Sequence, residues 1–192
     1  MNNREARDTV DEIVDAWMRE RPGLDVSPLK ILSRVSRLAK QLEKTRRSSF
    51  ATVDLESWEF DVLAALRRAG SPHELSPKAL LEQTYVSSGT MTNRIDGMVR
   101  RGLVERRTDP NDGRGVRVRM TGEGRDRVDG AISHLVAAET ELLAGLTKGD
   151  QERLAALLRR LSLDMHAGAG EIASRSRDAT AEAATPPRSA KR

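Results

Sequence analysis

The chain contains no cysteine, so disulfides, thiol nucleophiles and cysteine-ligated metals are excluded from its chemistry. Histidine is nearly as scarce. His73, His134 and His166 stand far apart, without the spacing of a metal-ligand set. No apolar run approaches the roughly 20 residues that span a bilayer. The first residues, MNNREARDTV, lack the apolar stretch of a secretory leader. The expectations are therefore no membrane partner, no metal, no cofactor and a cytoplasmic location. Catalytic motifs are missing as well: Ser87-Ser88-Gly89 has no G-x-S-x-G frame around it, and no glycine-rich phosphate loop follows a strand. Without a recognisable set of acid, base and nucleophile, an enzyme is not expected.

What is present suits a helix-rich globular chain. The 192 residues are enough for one domain with extensions and a sizeable core. Hydrophobic residues make up 38% and charged residues 32%, a balance that fits a soluble chain. A formal net charge of +4 hides 33 Lys and Arg set against 29 Asp and Glu, so the location of the cations says more than their sum.

Val10, Ile13, Val14 and Trp17 recur at helical spacing within residues 4–20, and Arg21-Pro-Gly23 ends that helix. Pro28 opens a second, in which Leu29, Leu32, Val35, Leu38, Ala39 and Leu42 carry the period to about residue 46. A polar link around Ser48, Ser49 and Thr52 leads to a third helix over 55–69, with Leu55, Trp58, Val62, Leu66 and Ala69 facing inward. Ser76-Pro77 caps a short fourth helix. A fifth runs from Ser87 or Ser88 to about Arg101, with Gly102 placed as its C-terminal cap. Leu103-Val-Glu-Arg-Arg107 and Val116-Arg-Val-Arg-Met120 then read as strands joined by the turn-rich Thr108-Asp-Pro-Asn-Asp-Gly113. Thr121 caps a helix over about 121–146, and a last helix covers about 150–166. Beyond residue 168 there is little to bury, and the expectation is disorder. Apolar helices at both ends flank a compact basic centre, as in a dimerisation layer joined to a DNA reader.

The fifth helix buries Met91, Ile95, Met98 and Val99, leaving Gly89, Thr90, Asn93, Gly97 and Arg100 opposite, with Ser87 and Ser88 at its start. Small polar groups without a glutamate suit a major groove, and the helix N-terminus favours a phosphate. The hairpin adds Arg106, Arg107, Arg114, Arg117 and Arg119. Arg114, between Gly113 and Gly115, sits on a thin tip of the kind that enters a minor groove. An ordinary solvated helix face and hairpin would account for each feature singly; their succession argues for DNA.

The run GLVERRTDPNDGRGVRVRMTGEGR resembles the wing of MarR-family regulators: a strand, Asp-Pro-x-Asp-x-Arg, a second strand, then Thr-x-x-Gly. SSGTMTNRIDGMVRRG resembles the family's recognition helix, and the resemblance extends over roughly residues 10–165. It implies a mainly α, winged helix-turn-helix fold whose dimer, formed by the terminal helices, reads a pseudo-palindrome in double-stranded DNA. It also implies that residues of the Ser87–Arg94 segment (Ser87, Ser88, Thr90, Thr92, Asn93, Arg94), with Arg100, contact DNA, while Asp112 supports the wing and Arg114 enters the minor groove. The pattern departs at Gly113, often basic in relatives, and at Gly97, often arginine.

DTVDEIVDAWMRERPGLD resembles the extra N-terminal helix of the urate-responsive branch, close to a branch that answers citrate or trans-aconitate. This implies an anionic effector, urate or a tricarboxylate, met by Trp17, Asp61, Arg68 and Arg94. Asp61 and Arg68, seven residues apart, lie on one stripe about 10 Å apart along the axis. Ala64 and Ala65 beside that stripe leave room, and Arg68 and Arg94 suit bidentate capture of an anion. Plainer roles stay open: Trp17 as core, Asp61 and Arg68 as surface charges, Arg94 as a phosphate contact.

The expected organisation is N-terminal helices 1–54 for ligand and dimer contacts, a reader 55–120, dimerisation helices 121–167 and a disordered tail 168–192. The expected function is a ligand-responsive homodimeric DNA-binding regulator, a repressor by the family's default. The alternative is a winged-helix protein-interaction module without ligand control.

Overall fold

The computed structural model describes the backbone of residues 7–84, 87–109 and 112–183, and the side chains of 7–84, 87–109 and 115–165. Helix α1 (Thr9–Glu20) is opened by a reciprocal cap. The Asp8 carboxylate accepts from the Val10 and Asp11 amides, and the Asp11 carboxylate accepts from the Asp8 amide. The predicted start at residue 4 lies outside the described residues. Val10 and Val14 pack with Val26 and Leu29 into a small cluster of their own. Arg34, on helix α2 (Leu29–Ala51), closes the pair by donating to both Asp8 and Asp11. Held this way, the Asp8 carboxyl is depressed from 3.8 to about 2, chiefly by the hydrogen bond from Arg34.

α2 runs past the predicted link at Ser48, with Ser49 and Phe50 both buried in its last turn. The reason is a long-range contact: the Phe50 ring stacks on Phe60 with centroids 4.1 Å apart. Leu32, Leu38 and Leu42, with Ile31, instead face solvent in the single chain.

Helix α3 (Ser57–Arg68) is capped by the Glu56–Glu59 pair, and Gly70 takes a positive φ of 77° just beyond it. Ala69 is exposed rather than inward, because the buried face is centred on Val62, Leu63, Ala65 and Leu66. Ala64 and Ala65 belong to the packed core, so they do not leave the open space expected beside Asp61. A two-residue strand, β1 (Glu74–Leu75), follows, then α4 (Pro77–Thr84), whose Ala79 amide is capped by Ser76 Oγ. Helix α5 (Ser88–Arg100) buries Met91, Ile95 and Met98. Val99 is 39% exposed, so the buried stripe is narrower than predicted.

The hairpin forms from β2 (Val104–Asp109) and β3 (Asp112–Met120), both longer than predicted. Arg114 falls within β3, and its side chain, like that of Asp112, lies outside the described side chains. β1 adds to β3 through Glu74–Arg119 and Leu75–Val118 pairs, making an antiparallel sheet in the order β1-β3-β2. Val118 and Met120 point into the core, whereas Val116 is exposed, because the hairpin has by then left the body of the protein. α3, α4, α5, the sheet and helix α6 (Gly122–Leu143) share one core that includes Leu63, Leu66, Leu80, Ile95, Leu103 and Val128. The mainly helical winged helix-turn-helix fold expected from the sequence is the one found.

The chain falls into two compact units, residues 1–139 and 140–192. The second is dominated by helix α7 (Lys148–Ala183), capped by Thr147 Oγ1 on the Asp150 amide. α7 continues beyond residue 168, where little apolar surface had suggested disorder; Ala, Glu and Arg in that stretch favour helix without needing burial. Leu154, Leu157, Leu158 and Leu163 are exposed along it. No helix among the described residues is long and apolar enough to cross a membrane.

The Thr-x-x-Gly of the sequence has a structural role. Thr121 Oγ1 accepts from the Gly124 amide and donates to the carbonyls of Gly102 and Leu103. A Cβ on Gly124 would overlap the Leu103 carbonyl and press on Leu63 Cδ2 at 3.1 Å. Gly124→Ala is expected to destabilise the fold by about 2–3 kcal/mol through this overlap, measured by denaturant unfolding. An unchanged midpoint would mean that α6 does not approach Leu103 this closely.

Candidate nucleic-acid interface and arginine cluster

α5 begins where Ser87, in extended conformation, accepts from the Thr90 amide and shares a 2.8 Å hydrogen bond with the Thr90 hydroxyl. Ser87, Ser88, Gly89, Thr90, Thr92 and Asn93 are all exposed. Thr92 returns its hydroxyl to the Ser88 carbonyl at 3.2 Å. This first half of α5 thus offers a low, polar surface with the positive end of the helix dipole beneath it. Arg100, also exposed, ends the helix.

The far end of α5 is anchored. Arg101 donates to the buried Glu59 carboxylate at 2.5 Å, and to the Asp54 carboxylate and carbonyl at 2.6 Å each. Arg127 of α6 donates to the same two Asp54 oxygens and to Glu123. Asp54 has a φ of 54°, which turns both of its acceptors toward the two guanidinium groups. Its carboxyl is held below the usual carboxylate range, first by the hydrogen bond from Arg127 and then by the charge of Arg101.

The hairpin's cations are largely engaged by neighbouring carboxylates. Arg106 pairs with Asp96 of α5 at 2.7 Å, tying the wing to the helix, while Arg107 pairs with Glu105 and Arg117 with Asp109. The Arg106 and Arg107 pairs are exposed and weak, so a phosphate can replace the carboxylate at little cost, whereas the Arg117–Asp109 pair is part-buried. Arg119 has no ion pair among the described residues.

On the α3 side of α5 lies a second arrangement. Arg94 is half-buried and turned toward α3, its guanidinium 5.3 Å from the centre of the Trp58 ring. Asp61 is half-exposed and pairs with Arg46 at 3.2 Å. Burial raises the Asp61 carboxyl above its usual value, against the opposing charges of Arg46, Arg94 and Arg68 and with help from Glu43. Of the four predicted effector residues, Arg68 and Arg94 are thus within electrostatic reach of Asp61. Trp17 is 47% exposed on α1, and among the described residues no side-chain hydrogen bond, ion pair or ring contact joins it to them.

Two members of this group are not in the predicted set. Arg46, stacked over Phe50 and Phe60 at 5.2 and 5.7 Å, comes from α2, and no spacing in the sequence links it to Asp61. Trp58 was legible only as an apolar position, although it stands one helical turn before Asp61. Among the described residues no group of His, Cys, Asp and Glu is arranged to hold a metal.

Residues 53–115 match the model of the MarR family. The chain is 31% identical to the HTH-type transcriptional regulator PecS of Dickeya dadantii, over 79% of this chain and 92% of that one. Among solved structures, apo MarR from E. coli superposes with a TM-score of 0.59 at 25% identity, over 68% of this chain and 95% of MarR. BpsR of Bordetella bronchiseptica, whose DNA binding is regulated by 6-hydroxynicotinic acid, gives 0.53 at 25%, over 67% and 92%. The chain belongs to the MarR family, and is a DNA-binding transcriptional regulator.

The raised Asp61 carboxyl has a signed consequence. With its folded-state value above 3.8, the folded chain holds this proton more tightly than the unfolded chain does. The contribution to stability is full below 3.8 and is withdrawn as pH rises through the folded value. In thermal melts, the wild-type minus Asp61→Asn difference is expected to fall as pH rises from 3.8 toward neutrality. A flat or rising difference would show that Arg46 and its neighbours outweigh burial.

Proposed function

We propose that the protein acts as a homodimer that represses transcription from a pseudo-palindromic operator and is released by a small anionic metabolite. The observation that carries this reading is the position of Arg94. It stands on the helix that offers Ser87, Ser88, Thr90, Thr92 and Asn93 to DNA, and it also faces the cluster of Asp61, Arg46 and Arg68. One side chain therefore belongs to both sites. The exposed leucines of α2 and, separately, those of α7 support self-association, since apolar side chains repeated along a helix are costly to leave in water.

In this reading α5 enters a major groove, Arg100 meets the phosphate backbone, and Arg114, supported by Asp112, enters the flanking minor groove. The candidate effectors are urate and the tricarboxylates citrate and trans-aconitate, with Trp17 as a flat wall and Arg68 and Arg94 as the anion's donors. The ligand-regulated relative BpsR supports an acidic small molecule as the class. An anion that favours the DNA-incompetent state weakens operator binding by its differential affinity for the two states, and by no more.

The test is fluorescence anisotropy on a labelled duplex from the gene's own upstream region, at fixed salt and pH. Tight binding reversed by one of the three anions is expected. Arg94→Ala is expected to need at least tenfold more of it, about 1.4 kcal/mol of lost coupling. Release at the wild-type dose removes Arg94 from the effector site. Arg114→Ala is expected to weaken all sequences alike and to lower the salt slope by about one. An unchanged slope argues against wing insertion, and absence of specific DNA binding favours the alternative, a protein-interaction module.

A further inference from the structure

Trp58 meets α5 at Arg94 and reaches toward Gly97, one helical turn on. Its ring face carries the Arg94 guanidinium, and a Cβ on Gly97 would stand 3.9 Å from Trp58 Cη2 and 3.8 Å from Arg100 Nη2. The indole therefore lies along α5, over a position with no side chain to displace it. Arg94 and Gly97 are three residues apart on α5, as Trp58 and Asp61 are on α3, so the two pairs face each other across the helix interface. Arg94 has two competing attractors on α3, the neutral π-face of Trp58 and the Asp61 carboxylate among its arginines.

We infer that Trp58 is the positioning residue through which the arginine cluster acts on the recognition helix. It seats Arg94 and the Gly97 turn of α5 against α3, and this seat holds α5 in the pose that reads DNA. An anion gathered by Arg46, Arg68 and Arg94 draws the Arg94 guanidinium toward itself and off the indole, and α5 loses its seat. This second half rests on the effector reading above; the seat itself does not.

The seat is tested by operator affinity in Trp58→Leu and Trp58→Phe, each checked for a wild-type far-UV spectrum. Trp58→Leu is expected to lose operator affinity roughly tenfold, with Trp58→Phe recovering most of the loss because it keeps a π-face. Wild-type affinity in Trp58→Leu overturns the inference. If that variant does not fold, Trp58→Met, which keeps an apolar side chain without a π-face, replaces it and is expected to show the same loss; unchanged affinity there overturns the inference equally.

The coupling is read separately. With 5-fluorotryptophan in place of the two tryptophans, the 19F resonance of Trp58, identified by its loss in Trp58→Phe, reports this indole with Trp17 in place, and Arg94→Ala gives the resonance of an unseated indole. Operator binding is expected to leave the Trp58 resonance unchanged, whereas urate or citrate, whichever releases the operator, is expected to move it toward the Arg94→Ala position. Operator release with an unmoved resonance overturns the coupling. If calorimetry shows neither anion binding, the effector reading fails, and the affinity of the two Trp58 variants still decides the seat.

Discussion

Burying a carboxyl group is costly unless its oxygens are hydrogen-bonded, and at Glu59, 1% exposed, that demand shapes the whole reading head. One oxygen accepts from the Glu56 amide, closing the cap of α3, and from Arg101, which follows the last residue of α5. Arg101 passes the connection on to Asp54, and Arg127 brings α6 to the same point. Removing one member of such a buried pair typically costs about 3–5 kcal/mol, because the other charge is left without a partner. The start of α3, the end of α5 and the middle of the first turns of α6 are therefore pinned together. What latitude α5 has is left to its N-terminal half, the half that carries Ser87, Thr90, Asn93 and Arg94.

The arginines sort into three populations that a net charge of +4 conceals. Arg101 and Arg127 are structural, committed to Glu59 and Asp54. Arg106 and Arg107 sit in exposed pairs along the hairpin, weak enough to exchange their carboxylates for phosphates, with Arg117 in a part-buried pair beside them. Arg46, Arg68 and Arg94 surround Asp61 and outnumber it. The same residue type thus does three kinds of work, decided by the number of acceptors nearby and by how far water is excluded from them.

Much of the architecture could be read from local signals. The 3.6-residue period of Met91, Ile95 and Met98, the Ser76-Pro77 start, Gly102 after α5 and the alternation of Val118 and Met120 all act within a few residues, and each was visible. The misreadings share a different cause. β1 has two residues, too few to alternate, and exists because β3 offers it an edge. The end of α2 reads as polar, yet Phe50 is drawn inward by Phe60, a partner on another helix. Arg46 reaches Asp61 across the α2–α3 packing, for which no spacing rule exists. Family resemblance implies Trp17, Asp61, Arg68 and Arg94 as a group, of which Trp17 stands apart from the others; Trp58, lying among the ordinary apolar positions, is distinguished only by the Arg94 guanidinium over its ring.

α1 stands apart from all of this. Its apolar contacts are Val26 and Leu29, not the core that α3, α5 and the sheet share, and its polar tie is the Asp8–Arg34–Asp11 clamp. A segment attached this way can be gained, lost or rewritten without repacking the reader, since among the described residues the main core contains none from α1. Inheritance can then act on the two parts at different rates. The DNA-reading head is constrained by a crowded interior in which every side chain has many neighbours. The leading helix answers to a handful of contacts and is free to diverge, so that proteins sharing one head can come to differ in the helix that precedes it.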